Sequence, residues 1–238
     1  FSNEVSERVR LVEAYNELGD VYRDWGILLQ KNGREEKAVR LFERALDEYE
    51  RSLEEAGDDW PVTQADSYED MADVYTLRGE LEQANKRLQQ AQGLVPEEYR
   101  LVEGQGFPEV EHPVEGLWQV MGKVYLARGH NIVAPVRELD KLNEEQEATL
   151  LDGIEQYALA VAYFLRYSPH LRLHRKALSA VYESLKRRGI HRLEKARERV
   201  SAVAERYRVD LSPLLADIDE TLGLKAPAAP EASPFPRE

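Results

Sequence analysis

The sequence predicts an all-α protein built from antiparallel helical hairpins. Along most of the chain, apolar side chains recur at alternating intervals of three and four residues, which indicates amphipathic helices. Glycine and proline stand where that spacing stops, as expected at helix ends. Charged residues make up 32% of the chain and β-branched runs are few, which favours helices over a sheet.

The first predicted hairpin covers residues 4–57. Apolar residues at intervals of 4, 3, 4, 3 and 4 predict one long helix with a seam: Leu11, Tyr15, Leu18, Tyr22, Trp25 and Leu29. Asn32 and Gly33 form a typical carboxy-terminal cap. A return helix then runs to about Gly57, with its apolar positions at Ala38, Val39, Phe42, Ala45, Leu46, Tyr49 and Leu53.

The second hairpin is predicted over residues 64–93. Its first helix carries Tyr68, Met71, Ala72 and Tyr75 at helical spacing, and Gly79 ends it. Its second helix carries Ala84, Leu88 and Ala91, and Pro96 follows it. Small residues at three of these positions allow the two helices to approach closely.

A third hairpin is predicted over residues 114–167. A loop rich in glycine and proline, residues 100–113, precedes it; this loop is either functional or a surface lid held down by Tyr99, Leu101 and Phe107, and the lid is favoured. An insertion over residues 131–147 separates its two helices. The positions that indicate those helices are Trp118, Met121, Gly122, Tyr125 and Gly129 in the first, and Leu150, Ile154, Tyr157, Ala158, Val161, Ala162 and Leu165 in the second.

The carboxy-terminal part of the chain predicts a fourth hairpin over residues 170–208. A short helix over residues 211–222 is expected to cover the exposed end of the helical array, as terminal capping elements do. Residues 225–238 are rich in proline and alanine and contain too little apolar surface to fold, so a disordered tail is expected there.

The second hairpin resembles a tetratricopeptide (TPR) repeat. Nine positions match the spaced pattern of that family in order: Tyr68, Met71, Ala72, Tyr75, Gly79, Ala84, Leu88, Ala91 and Pro96. Three of them depart in residue type, with Met for Leu, Ala for Gly and Leu for an aromatic residue. The first hairpin and the first half of the third fit the same pattern, whereas the fourth lacks its alanine. The resemblance implies a right-handed α-solenoid with a concave groove that binds a protein or peptide.

Overlong repeats in an all-α chain are also similar to the TPR sensor region of bacterial signal-transducing (STAND-type) ATPases, or to a TPR-containing regulator. No motif diagnostic of that class lies in the chain. This second resemblance implies that the ATPase and effector modules belong to other parts of a longer polypeptide, and that this domain senses a ligand or restrains them.

TPR grooves are lined mainly by the first helix of each repeat, and the resemblance therefore names the candidate site residues. They are Asp20, Arg23 and Ile27 in the first hairpin, Asp66, Glu69, Asp70 and Asp73 in the second, and Gln119, Lys123 and Leu126 in the third. The Lys and Asn residues with which one TPR subset binds a carboxylate are missing. An acidic groove is expected to prefer a basic peptide or helix, with the equally weighted alternative that these carboxylates only keep the chain soluble.

The net charge of −13 is unevenly distributed, because residues 166–208 hold 13 basic and only 4 acidic side chains. Arg188, Arg192, Lys195 and Arg199 form a basic stripe at intervals of 4, 3 and 4. This stripe could contact nucleic-acid phosphates, but no aromatic residue interleaves it to stack on bases. A solvated or protein-docking face is the favoured interpretation, and a nucleic-acid-associated regulator is the alternative function.

The sequence gives little sign of catalytic chemistry. Without cysteine there can be no disulfide or thiolate site, and the five histidines lack a third ligand at metal-binding spacing, including His170 and His174 on one helix face. No phosphate-binding glycine loop or nucleophile motif is present. We therefore expect a non-catalytic, cytoplasmic scaffold or sensor domain without metal, cofactor or membrane association.

Overall fold

The computed structural model of the protein describes residues 2–57, 59–111, 114, 116–137, 139, 141–167, 180 and 190–221. These residues form an all-α structure, and one isolated β-bridge, between Val102 and Gly106, is their only strand-like pairing. The described helices are α1 (Ser2–Lys31), α2 (Glu35–Ala56), α3 (Pro61–Leu77), α4 (Leu81–Leu94), α5 (Leu117–Val133), α6 (Glu144–Tyr167), α7 (Ile190–Tyr207) and α8 (Ser212–Thr221). Short 3-10 turns lie at Glu97–Tyr99 and Ala134–Val136.

Most of the predicted helix boundaries are confirmed. Helix α1 ends just before Gly33 and α3 just before Gly79, and both glycines adopt positive φ angles, of 70° and 76°. Helix α3 begins at Pro61, three residues earlier than predicted, because proline is well suited to the first position of a helix. The insertion is shorter than predicted, since α5 continues to Val133 and α6 starts at Glu144.

Consecutive helices pack as pairs, α1 with α2, α3 with α4 and α5 with α6. In the first pair, glycines of α1 face aromatic rings of α2. A Cβ atom placed on Gly19 would lie 2.5 Å from the Tyr49 ring, and one placed on Gly26 would lie 2.5 Å from the Phe42 ring. Gly26 follows Gly19 by seven residues, whereas Phe42, which faces Gly26, precedes Tyr49 by seven residues. Helices α1 and α2 are therefore antiparallel. The third pair repeats this arrangement, with Gly122 against Phe164 and Gly129 against Tyr157.

The pairs also contact one another in chain order. Helix α3 packs on α2, α5 packs on α3 and α4, and α7 packs on α6. Three apolar clusters follow this order, around α1 to α3, around α3 to α5, and around α5 to α8. Helix α8 buries Leu214 and Ile218 in the last cluster.

The loop between α4 and α5 is packed down, as the lid interpretation predicts. Tyr99 is buried, and its hydroxyl accepts a hydrogen bond of 2.6 Å from the Val114 amide. The Leu101 amide donates to the Tyr163 hydroxyl at 2.8 Å, and the Phe107 ring meets the Tyr163 ring edge-on at 5.0 Å. The loop therefore ties α4 and α5 to α6.

Other predicted elements lie outside the described residues. They include most of the first helix of the fourth hairpin, His170, His174 and Arg188, the last residue of the predicted 211–222 helix, and the tail 225–238. Within the described part of the chain, no helix is long and apolar enough to cross a membrane.

Candidate functional site

Helices α1, α3 and α5 bring most of the predicted groove residues together. Helix α3 contacts both of the others, as the first helices of adjacent repeats would. Its residues Asp66, Glu69, Asp70 and Asp73 follow one another at intervals of three, one and three, which places their carboxyl groups on one helix face. Arg23 reaches this row from α1 and Lys123 reaches it from α5. We call these six residues the acidic row and its two cations.

On the α1 side, Arg23 is the centre of a hydrogen-bonded network. Its guanidinium lies 2.6 Å from the Asp70 carboxylate and 2.9 Å from that of Asp20, and it donates to the Tyr49 hydroxyl at 3.3 Å. The Tyr49 hydroxyl donates in turn to Asp20 at 2.7 Å. Burial works to lower the pKa of Arg23, but Tyr49, Asp70 and Asp20 together raise it above its ordinary value. Arg23 therefore stays charged and joins α1, α2 and α3.

On the α5 side, Lys123 lies 2.8 Å from the Asp66 carboxylate and donates a hydrogen bond to it. Burial works to lower the pKa of Lys123, while Asp66, Glu69 and Asp70 raise it above its ordinary value. This pair joins α3 to α5. The two outer cations thus neutralise part of the charge that the acidic row was predicted to present.

Glu69 and Asp73 stand apart from these pairs. Glu69 is only 6% exposed, and among the described residues no group donates a hydrogen bond to its carboxyl or to that of Asp73. Burial raises the pKa of Glu69 well above its usual range, and the negative charges of Asp73 and Asp70 add to this effect against the opposing influence of Lys123. Glu69 and Asp73 are therefore the two members of the row that form no ion pair within the described residues.

His130 lies two turns beyond Lys123 along the same helix and adjoins Asp73. Its ring meets the Tyr157 ring at 5.5 Å between centroids. Burial lowers the pKa of His130, and the nearby Arg137 lowers it further, whereas Asp73 works against both. Neither His130 nor Tyr49 was among the predicted site residues. The apolar spacing of the return helix indicates a core position for Tyr49, and the sequence favours a solvated surface position for the histidines, so neither pattern predicts these polar contacts.

Three predicted site residues contribute differently from the others. Leu126 is buried in the apolar cluster around α6, so its assignment to the groove is corrected: at that point the helix face has turned toward α6. Ile27 packs against the α1–α3 cluster and is half-buried. Gln119 is also half-buried.

The basic stripe on α7 is engaged with α6. Lys195 lies 2.9 Å from Glu147, which also lies 3.9 Å from Arg192. Arg199 lies 3.1 Å from Glu155 and 3.3 Å from Asp152. These contacts show that the described part of the stripe serves to join two helices.

The acidic row gives the unfolding free energy a specific dependence on pH. Burial raises the pKa of Asp70 to about 7, with Asp20 and Asp73 adding to the effect and Lys123 and Arg23 opposing it. The folded state therefore holds a proton that the unfolded state releases near its ordinary pKa of 3.8. The stabilisation is complete below that value, and we expect it to be lost as the pH rises to about 7.

Thermal unfolding at a series of pH values tests this expectation. The substitution Asp70→Asn should flatten the profile between about pH 4 and 7, whereas Glu43→Gln, at an exposed position on α2, should leave its slope unchanged. His130 contributes with the opposite sign, because its lowered pKa removes stability as the pH falls. An Asp70→Asn profile parallel to that of the wild type would contradict the assignment.

Three comparisons with known proteins give no match for the chain: the scan against protein-family models, the search of curated proteins and the search of solved structures. Within the described residues, no group of three or more metal-ligating side chains is placed to hold a metal ion.

Proposed function

We propose that the chain is a non-catalytic protein-interaction domain, a TPR-like α-solenoid whose groove along α1, α3 and α5 binds a basic segment of a protein partner. In this proposal it acts as a scaffold or sensor, and the partner is a separate protein or another part of a longer polypeptide. The observation that carries it is the buried Glu69 carboxyl, which lies with Asp73 in a row of acids and, among the described residues, accepts no hydrogen bond from a cation.

The arrangement of the helices supports the groove. The first helix of each of three successive pairs contributes to one polar strip, and tight glycine–aromatic contacts fix the first and third pairs. A strip held by packed helices loses little conformational entropy when a ligand binds. Extended peptides and helices are both ligands of this kind of surface.

The chemistry of the strip supports a cationic ligand. Asp66 and Asp70 already pair with Lys123 and Arg23, so a new positive charge would gain most between Glu69 and Asp73. These two carboxyls are one helical turn apart, and a guanidinium group can donate to both because its donors are arranged in a planar fork. We therefore propose an arginine-containing segment as the ligand, with the Glu69 and Asp73 carboxyls as its acceptors.

The basic stripe supports the alternative function less well. Each described member of the stripe lies within 3.9 Å of a carboxylate on α6, so its charge is used to hold α7 in place. A phosphate ligand would have to displace these pairs. We therefore do not extend the proposal to nucleic acid.

Titration with a labelled peptide tests the proposed site. The probe is a fluorescein-labelled peptide of eight alternating Arg and Ala residues, and binding is followed by fluorescence anisotropy at moderate salt. The double substitution Glu69→Gln with Asp73→Asn should weaken binding about tenfold or more, since it removes both acceptors of the guanidinium. The variant should remain folded, because it removes a buried carboxyl that lacks a hydrogen-bond donor.

A matched control separates the site from general electrostatic attraction. Glu43 and Asp47 are an exposed Glu and Asp four residues apart on α2, the same pair at the same spacing. The control, Glu43→Gln with Asp47→Asn, changes the net charge equally and should alter binding less than about twofold. Equal weakening by both double variants, or no binding of the peptide by the wild type, would refute the proposal.

A further inference from the structure

Helix α1 exposes an apolar stripe that the helix pairs leave uncovered. Five large side chains on it are solvent-exposed: Leu11 (39%), Leu18 (38%), Val21 (59%), Trp25 (52%) and Leu28 (57%). Ala14 is also exposed, and the six positions follow one another at intervals of 3, 4, 3, 4 and 3. This is the spacing of the a and d positions of a heptad, the pattern with which one helix packs against another.

The predicted seam of α1 is therefore corrected. Helix α2 contacts α1 through Val12, Gly19 and Gly26, whereas Leu11, Leu18 and Trp25 face away from it. Five of the nine large hydrophobic side chains that are exposed on the described structure belong to this one face. A contiguous exposed apolar patch is uncommon on a soluble monomer and typically marks an interface.

We propose that this stripe is a homodimer interface, in which α1 of one copy packs antiparallel against α1 of a second copy. The most exposed part of the stripe is complementary to itself under a two-fold axis. Leu18 then meets Leu28 of the partner subunit, Val21 meets Trp25 of the partner subunit, and the same two contacts recur in reverse order. Each apolar side chain faces another apolar side chain, as an isologous interface requires.

Charge complementarity supports this register and direction. In this arrangement Glu17 flanks the stripe opposite Lys31 of the partner subunit, and the contact occurs twice. Both residues are exposed, and within the described chain neither has an ion-pair partner of its own. Asp24 faces Asp24 of the partner subunit at the axis, where each carboxylate already lies 3.3 Å from Arg23 of its own copy.

Two other arrangements fit the charges less well. Shifting one helix by seven residues relative to the other, so that the whole stripe is covered, would place Arg10 beside Lys31 of the partner subunit and Glu17 beside Asp24 of the partner subunit. A parallel pair would place Glu17 beside Tyr22 of the partner subunit and would leave both charges unpaired. A register centred nearer the start of α1 would pair Arg10 with Asp24 of the partner subunit, but it would leave the more exposed Trp25 and Leu28 uncovered. The chosen register therefore combines two ion pairs with coverage of the four side chains Leu18, Val21, Trp25 and Leu28.

Sedimentation equilibrium of the whole chain over a range of concentrations is the first test. We expect a reversible dimer with a Kd on the order of 10–100 µM, since four apolar layers make an interface below the standard size. Val21→Glu with Leu28→Glu should abolish the dimer without lowering the Tm measured well below that Kd, because both positions are exposed in the monomer. The matched control is Glu43→Gln with Asp47→Asn, which should dimerise like the wild type.

Charge exchange tests the register independently of the apolar contacts. Glu17→Lys alone and Lys31→Glu alone should each weaken the dimer about threefold or more, since each creates like-charged contacts at both ends. The double variant that exchanges the two charges should recover most of the affinity.

Cross-linking tests the direction, and the natural chain is suited to it because it contains no cysteine. With a short bismaleimide, Asp24→Cys should give a covalent dimer and Arg10→Cys should not, whereas in a parallel pair the two positions are equivalent and would cross-link to the same extent. A chain that is monomeric at about 500 µM, a dimer that survives Val21→Glu with Leu28→Glu, or equal cross-linking of both cysteine variants would overturn the proposal.

Discussion

The substitution Gly122→Ala is expected to destabilise the protein by about 1–2 kcal/mol, although alanine is the better helix former. A Cβ atom on Gly122 would lie 2.5 Å from the Phe164 ring, closer than packed atoms can approach. Phe164 is 2% exposed and surrounded by the cluster around α6, so its ring has little room to move. The cost of overpacking, about 1–3 kcal/mol, should therefore exceed the gain of up to about 1 kcal/mol in helix propensity.

Gly93→Ala provides the matched comparison. Gly93 also lies within a helix, but nothing is within 4 Å of the Cβ atom that the substitution would add. The propensity gain should act alone there and raise the free energy of unfolding by up to about 1 kcal/mol. Denaturant unfolding of the two variants should thus give shifts of opposite sign.

A double-mutant cycle identifies the ring as the cause. Phe164→Leu alone should cost about 1 kcal/mol or more in the wild type, because it removes buried apolar surface. In the Gly122→Ala background the same change should cost less, since it also relieves the clash. Additive effects, or a Gly122→Ala variant as stable as the Gly93→Ala variant, would show that α5 and α6 are not held together by this contact.

Helix periods and helix ends were predictable from the sequence because they depend on local features. Glycine at positions 33 and 79 adopts the left-handed conformation that ends a helix, and the alternating intervals of three and four residues identified α1 to α6. The interior face of α1 was not predictable in the same way. Two apolar stripes run along that helix, and the small side chains of Gly19 and Gly26 decide which of them meets α2.

The candidate site was predictable only in part, for a related reason. Spacing alone places Asp66, Glu69, Asp70 and Asp73 on one face of a helix. The cations that pair with these carboxylates come from distant parts of the chain. Arg23, for example, lies 47 positions from Asp70, and single-sequence patterns do not contain that information. The burial of Glu69 likewise depends on how closely α5 approaches, which makes it a property of packing rather than of helical spacing.

Replacing Arg23 by methionine should have the largest effect of any single change in the acidic row, about 2–4 kcal/mol of unfolding free energy near pH 8. The Arg23 side chain is 17% exposed, and the side chain of Asp70, whose carboxylate lies 2.6 Å away, is 16% exposed. Removal of one partner leaves the other charge poorly solvated and close to Asp20, Asp73 and Glu69. The partial exposure of the pair reduces the loss from the values typical of fully buried pairs.

The pH dependence of this loss distinguishes charge from packing. With the guanidinium absent, the pKa of Asp70 should rise further above its ordinary value, so the folded variant should regain stability by binding a proton as the pH falls. The destabilisation relative to the wild type should therefore shrink between pH 8 and about pH 5. A lost packing contact would cost the same at both pH values.

Two further variants complete the test. Arg40→Met, at an exposed position on α2, should change the unfolding free energy by less than about 0.5 kcal/mol. Adding Asp70→Asn to Arg23→Met should recover much of the loss at pH 8, because it removes the charge that the arginine had neutralised. If the double variant is as unstable as Arg23→Met alone, the arginine stabilises the three helices through its contacts with Tyr49 and Asp20 rather than through Asp70.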